Sequence, residues 1–135
     1  MLRYLLDTNI CIYIRQGDPA RVAARFSALQ PGEAAMSVIS YGELRHGVEK
    51  SRSRERALDI LEALATVIPV LPLEADVGRH YGRLSALLST RGEVIGNNDM
   101  WIAAHAQAAG LVLVTNNERE FRRVPGLTVE NWAAA

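Results

Sequence analysis

The 135-residue chain is 49% hydrophobic and 22% charged, a balance that suits one folded domain burying roughly two-thirds of the surface its unfolded chain would expose, and that excludes a disordered or disulfide-stapled protein. Fifteen basic residues balance fifteen acidic ones, giving a formal net charge of zero, so no global field attracts a polyanion and nucleic-acid binding would rest on local clusters. The single cysteine, Cys11, excludes an internal disulfide and a four-cysteine zinc site. No apolar run reaches the roughly 18 residues of a membrane span, and Arg3 and Asp7 interrupt the opening stretch, so a cytoplasmic, non-membrane protein is expected.

In chain order, residues 3 to 7 read as a strand, followed by a helix over 9 to 16 capped by Thr8 or Asn9 and stopped at Gly17. A helix over 19 to 29 follows, then the Pro31-Gly32 turn. The stretch AAMSVIS reads as a buried strand leading into a helix from about 41 to 50, and RERALDILEALATV is apolar at 57, 60, 61, 64 and 65, a helical face. IPVLPL is a strand limited by two prolines. EADVGRHYGRLSALLSTRG is a long helix with Val77, Tyr81, Leu84 and Leu88 on one face and a Gly92 stop. NNDMWIAAHAQAAG is another helix, LVLVT a strand, and a short acidic helical turn precedes a last strand around LTVEN. This alternation predicts a single α/β domain over 1 to 135, with right-handed crossovers and a central parallel sheet of four to five strands covered by helices on both faces, a three-layer arrangement.

Ligands in such sheets bind beyond the carboxyl ends of the strands, and the acidic residues fall there. Asp7 ends the first strand, Glu43 stands in the first turn of the helix after the second, Asp99 opens the NNDMWIAAHA helix, and Glu118 and Glu120 follow the fourth strand. Carboxylates gathered without a cation repel one another, and ionised ones are costly to bury. With no lysine nearby in sequence, a hard divalent cation such as Mg²⁺ or Mn²⁺ is the natural compensator. Asp7 reads as a metal ligand, with Thr8 and Asn9 capping the next helix and fixing its carboxylate. A structural alternative competes: Ser40-Tyr41-Gly42-Glu43 and Thr115-Asn116-Asn117-Glu118 both match a capping box. For Glu118 that is the preferred reading, and for Glu43 it is a rival.

Fourteen of the fifteen basic residues are arginine, the side chain best shaped for bidentate phosphate contacts. Arg45, Lys50, Arg52, Arg54 and Arg56 form a cluster open to two readings, an RNA-contacting patch or a solvated face interleaved by Glu49, Glu55 and Asp59. His46 could share the Glu43 helix face, whereas His80 and His105 read as rim or core residues. No nucleophile elbow, P-loop or Gly-x-Gly-x-x-Gly turn occurs.

Four stretches, LLDTNICIYI, VISYGELRHGVEKS, VIGNNDMWIAAHA and LVTNNEREFRRVPGLTVENW, stand in the order and at the spacing found in PIN-domain ribonucleases of the VapC type. The chain resembles these toxins of bacterial type II toxin–antitoxin systems over nearly its whole length. The resemblance implies a PIN-like fold and Asp7, Glu43 and Asp99 as the catalytic, metal-binding acidic triad. Thr115 and Asn116 take supporting roles. It further implies Mg²⁺- or Mn²⁺-dependent cleavage of single-stranded or structured RNA, with tRNA as a substrate class, a VapB-like antitoxin partner and a homodimer, within a larger toxin–antitoxin assembly as an extension. One departure stands out: many relatives have an aspartate where this chain has Asn117, so the site loses a negative charge, and either Glu120 reaches in through water or one metal binds tightly instead of two. The alternative is a non-catalytic PIN-like module that binds RNA or protein, whose mark would be a broken acidic set. A phosphoacceptor of receiver type is disfavoured because Lys50, the one lysine, is misplaced.

Overall fold

In the structure, a computed structural model describing residues 1–134, the central strand is β1 (Tyr4–Leu6), whose three side chains are all buried. It alternates as a strand must: Tyr4 and Leu6 join one core cluster and Leu5 the other, on the opposite sheet face. Helices α1 (Thr8–Gln16) and α2 (Ala20–Ser27) lead to β2 (Ala34–Ser37). Helices α3 (Val38–Glu49) and α4 (Arg54–Val67) lead to β3 (Val70–Leu71), and α5 (Ala75–Arg91) and α6 (Asn97–Ala108) return to β4 (Val112–Val114). The chain finishes with α7 (Glu118–Phe121) and β5 (Val129–Glu130). All pairings are parallel, in the order β3-β2-β1-β4-β5, with Leu5 opposite both Ala35 and Leu113.

The first core packs α1 to α4 on the face carrying Tyr4, Leu6 and Met36. The second packs α5 and α6 on the face carrying Leu5 and Leu113, with Phe121 of α7. Right-handed crossovers explain the division: connections running outward from β1 to β3 cover one face, and the return to β4 reverses direction and covers the other. The order therefore reverses between β1 and β4, and the crevice beyond their carboxyl ends is the switch point of the sheet. No helix among the described residues is long and apolar enough to cross a membrane.

Several boundaries differ from the sequence expectation. Helix α1 is capped by neither Thr8 nor Asn9 but by Asp7, whose Oδ1 accepts the Thr8 N–H at 2.7 Å. Helix α3 starts at Val38, three residues early, because Ser37 is the cap and its Oγ accepts the Ile39 N–H at 3.1 Å. Ser40 thus lies inside the helix with a buried hydroxyl lacking any partner, so the Ser40–Glu43 capping box does not form and Glu43 stands in the second turn, not the first. The stretch β3 spans two residues, since Pro69 and Pro72 flank it and neither can donate to a ladder. On α4, Leu61 and Leu64 are buried, whereas Ile60, expected on the same face, is 41% exposed.

Candidate active site

Asp7 leaves β1 at the switch point. Its N–H donates to Val114 O of the neighbouring strand at 2.9 Å, and its carbonyl accepts the first α1 bond from Cys11 N. The carboxylate is buried, with Oδ1 held by the Thr8 N–H and Oδ2 accepting from the Thr115 hydroxyl at 2.7 Å. Burial pushes the Asp7 carboxyl above the usual carboxylate range. The two hydrogen bonds pull it back, and the charges of Glu43 and Glu120 push it up again. Asp99, in the first turn of α6, is half-buried and rises to about 6, through burial first and then the charges of Asp7, Glu120 and Glu43. Asp99 thus feels the charges of Asp7, Glu120 and Glu43, and Asp7 those of Glu43 and Glu120, so these carboxyl groups lie near one crevice.

Glu43 is exposed, and its Oε1 accepts from the Thr8 hydroxyl at 2.6 Å. Thr8 therefore braces two acids, Asp7 through its N–H and Glu43 through its side chain. Glu120 is gripped at both oxygens, by Gly96 N–H at 3.0 Å and Asn117 Nδ2 at 2.6 Å, and these bonds hold it below the ordinary carboxylate range. Asn117 thus serves as a donor that orients Glu120, while its own N–H is accepted by Thr115 Oγ1 at 2.9 Å.

Other expected residues point elsewhere. Glu118 forms no capping box; it accepts from Arg122 and from Asn131 Nδ2. Asn116 bonds the Tyr13 hydroxyl and Asn131, tying α1 to the end of the chain. Asn9 is exposed on the first turn of α1, where Asp7 has taken the capping role. His105 is buried with Nδ1 2.8 Å from Ser37 Oγ, a core contact as expected. In the basic cluster Glu49 accepts from both Arg45, at 2.7 Å, and Arg54, at 2.8 Å. Lys50, Arg52 and Arg56 are exposed, and no ion pair among the described residues includes them.

Asp7, Glu43, Asp99 and Glu120 likewise appear in none of those ion pairs. Among the described residues no three acidic, histidine or cysteine side chains stand close enough to enclose a metal by themselves. The donor set fits an ion that keeps water in its shell, as Mg²⁺ does when one or two carboxylates hold it. Sequence reasoning missed the Thr8–Glu43 and Asn117–Glu120 bonds. The first spans 35 positions and leaves no local pattern; the second joins residues three apart and could have been found from the short helical turn.

Residues 4–127 match the PIN domain family. The tRNA(fMet)-specific endonuclease VapC of Shigella flexneri is 43% identical over 133 residues, covering 98% of this chain and all of that protein. Ribonuclease VapC2 of Haemophilus influenzae is 42% identical over 132 residues, covering 98% and 99%. Among solved structures, DNA-bound VapBC from Salmonella typhimurium aligns with a TM-score of 0.91 at 39% identity, over 98% of this chain and 99% of that one. VapBC2 from Rickettsia felis, bound to a promoter DNA fragment, aligns at 0.89 and 36% identity, over 97% and 99%. The chain belongs to the PIN-domain family, and within it to the VapC ribonucleases, the toxins of toxin–antitoxin systems.

Proposed function

We propose that this chain is a divalent-metal-dependent endoribonuclease acting on structured or single-stranded RNA, tRNA included, and restrained by a VapB-like antitoxin. The observation that carries the reading is that the charges of Asp7, Glu43 and Glu120 bear on Asp99 at the switch point, with none of the four acids in an ion pair among the described residues. Asp7, Asp99 and Glu43 are the residues that would hold Mg²⁺ or Mn²⁺, with Glu120 and Asn117 beside them. A cation held by these residues would supply positive charge to the phosphodiester and lower the pKa of a water towards neutrality. The Thr115 hydroxyl and Thr8 N–H fix the Asp7 carboxylate, so its charge is aimed before substrate arrives. Glu43, exposed and steadied by Thr8, accepts the proton of the attacking water.

The tRNA assignment is supported by the name of the Shigella relative, and the antitoxin by the VapBC complexes that this fold resembles. A cleft of about 480 Å³ runs from Thr8 and Glu43 past Ile12, Leu44 and Val48 to Ile60. Its apolar wall suits a partner segment that ends against the acids. The test is RNA cleavage by antitoxin-free protein: chelation by EDTA should stop it, Mg²⁺ or Mn²⁺ should restore it, and Asp7→Asn or Asp99→Asn should abolish it. Cleavage persisting in EDTA, or in either variant, would overturn the assignment.

A further inference from the structure

A second cleft, of about 540 Å³, opens on the other side of Glu43, lined by Val38, Ile39, Gly42, Glu43 and His46 of α3 and by Asn98 from the first turn of α6. It is an open groove, not an enclosed cavity. We infer that this cleft receives an unpaired nucleobase of the RNA, that of the nucleotide next to the scissile phosphate. The inference rests on the reading of the acidic crevice as an RNA-cutting site.

Four features of the cleft converge on that occupant. It shares Glu43 with the crevice, so whatever fills it adjoins the reacting phosphate. It holds no lysine or arginine and one carboxylate, which disfavours a phosphate or an acidic peptide and favours an uncharged ligand. Val38, 37% exposed, and Ile39 offer an apolar wall, while exposed His46 and Asn98 offer a stacking ring and an amide that can both donate to and accept from a base edge. Finally, Gly42 occupies a helix interior, where glycine is the least favourable residue after proline. A Cβ there would meet nothing within 4 Å, so the space beside Gly42 is open and a larger side chain at this lining position would project over the cleft.

The test pairs a protein change with an RNA change. An RNA oligonucleotide cut at one mapped position is compared with versions lacking the base on either side of the cut, using wild type, Gly42→Leu and Gly42→Ala. Wild type should cleave one abasic version about tenfold or more slowly, the scale expected when one base no longer stacks. Gly42→Leu, which fills the cleft, should slow cleavage of the intact RNA by a similar factor and erase the difference between intact and abasic RNA. Gly42→Ala should keep most of that difference. Both variants should melt at or above the wild-type temperature, because they replace a helical glycine in open space. If the two changes multiply independently, or if neither base removal matters, the cleft holds no base and is bare surface or a protein-partner site. If wild type cuts no RNA, or Asp7→Asn cuts as well as wild type, the underlying reading fails and takes this one with it.

Discussion

Ionisation of Asp99 opposes folding. Its carboxyl titrates at about 6 in the folded protein against roughly 3.9 when unfolded. The ionised form is therefore penalised in the fold, fully so above pH 6, and the penalty fades as pH falls through 6 towards 4. In metal-free buffer Asp99→Asn should raise stability at pH 7 to 8 by about 1 kcal/mol, with solvent screening of this half-exposed group taken into account. The gain should vanish near pH 4. Thermal melts across that range check it; a gain that persists at low pH would mean packing, not charge, is responsible. Glu43→Gln tests the neighbouring acid, for which no capping role remains because Ser40 lies within α3. The amide can still accept from Thr8, so stability should change by less than about 0.5 kcal/mol, while RNA cleavage falls by about 100-fold or more. Asn117→Asp replaces the donor 2.6 Å from Glu120 with a second carboxylate. Metal-free stability should drop and Mn²⁺ affinity, read by calorimetry, should rise, since a cation relieves the new repulsion.

At the scale of elements, α3 shows how a start signal can be read one turn too late. Ser37 and Ser40 are both plausible caps, and the glutamate three residues after Ser40 tilts a local reading towards that serine. The sheet decides the matter: Ser37 ends β2 in register with Leu71, and the chain must turn immediately to reach the first core. Ser37→Ala should cost about 1–3 kcal/mol, losing the Ile39 cap and the buried bond to His105. Ser40→Ala should be neutral or stabilising, because it deletes a buried hydroxyl that has no partner and installs the best helix former. Urea unfolding of both variants separates the two registers, and the reverse order of effects would restore the capping box.

For the whole molecule, zero net charge means that RNA affinity depends on where the arginines stand and on which of them Glu49 already holds. Glu49 is drawn down to about 2 by Arg54 and Arg45, so those pairs persist at neutral pH and offer less to a phosphate. Lys50, Arg52 and Arg56 carry the free charge of the cluster. Replacing these three with glutamine in an Asp99→Asn background should lower the salt slope of RNA binding by about 0.7 for each phosphate that is no longer neutralised. An unchanged slope would assign the cluster to solvent.

Local chemistry alone was enough to write the α/β class, the helix stops at Gly17 and Gly92, and the acidic residues at the carboxyl ends of strands into the sequence, because periodicity, turn residues and strand ends are properties of neighbouring positions. The presence of Asp7 after a buried strand already set it apart from a surface acid. Tertiary structure alone decided that Thr8 reaches Glu43 across 35 positions, that the Thr115 hydroxyl holds Asp7 across 108, and that the Gly96 N–H holds Glu120 across 24. The β1–β4 reversal in strand order brings these groups together, and bonds between residues so far apart leave no trace in any short window of sequence.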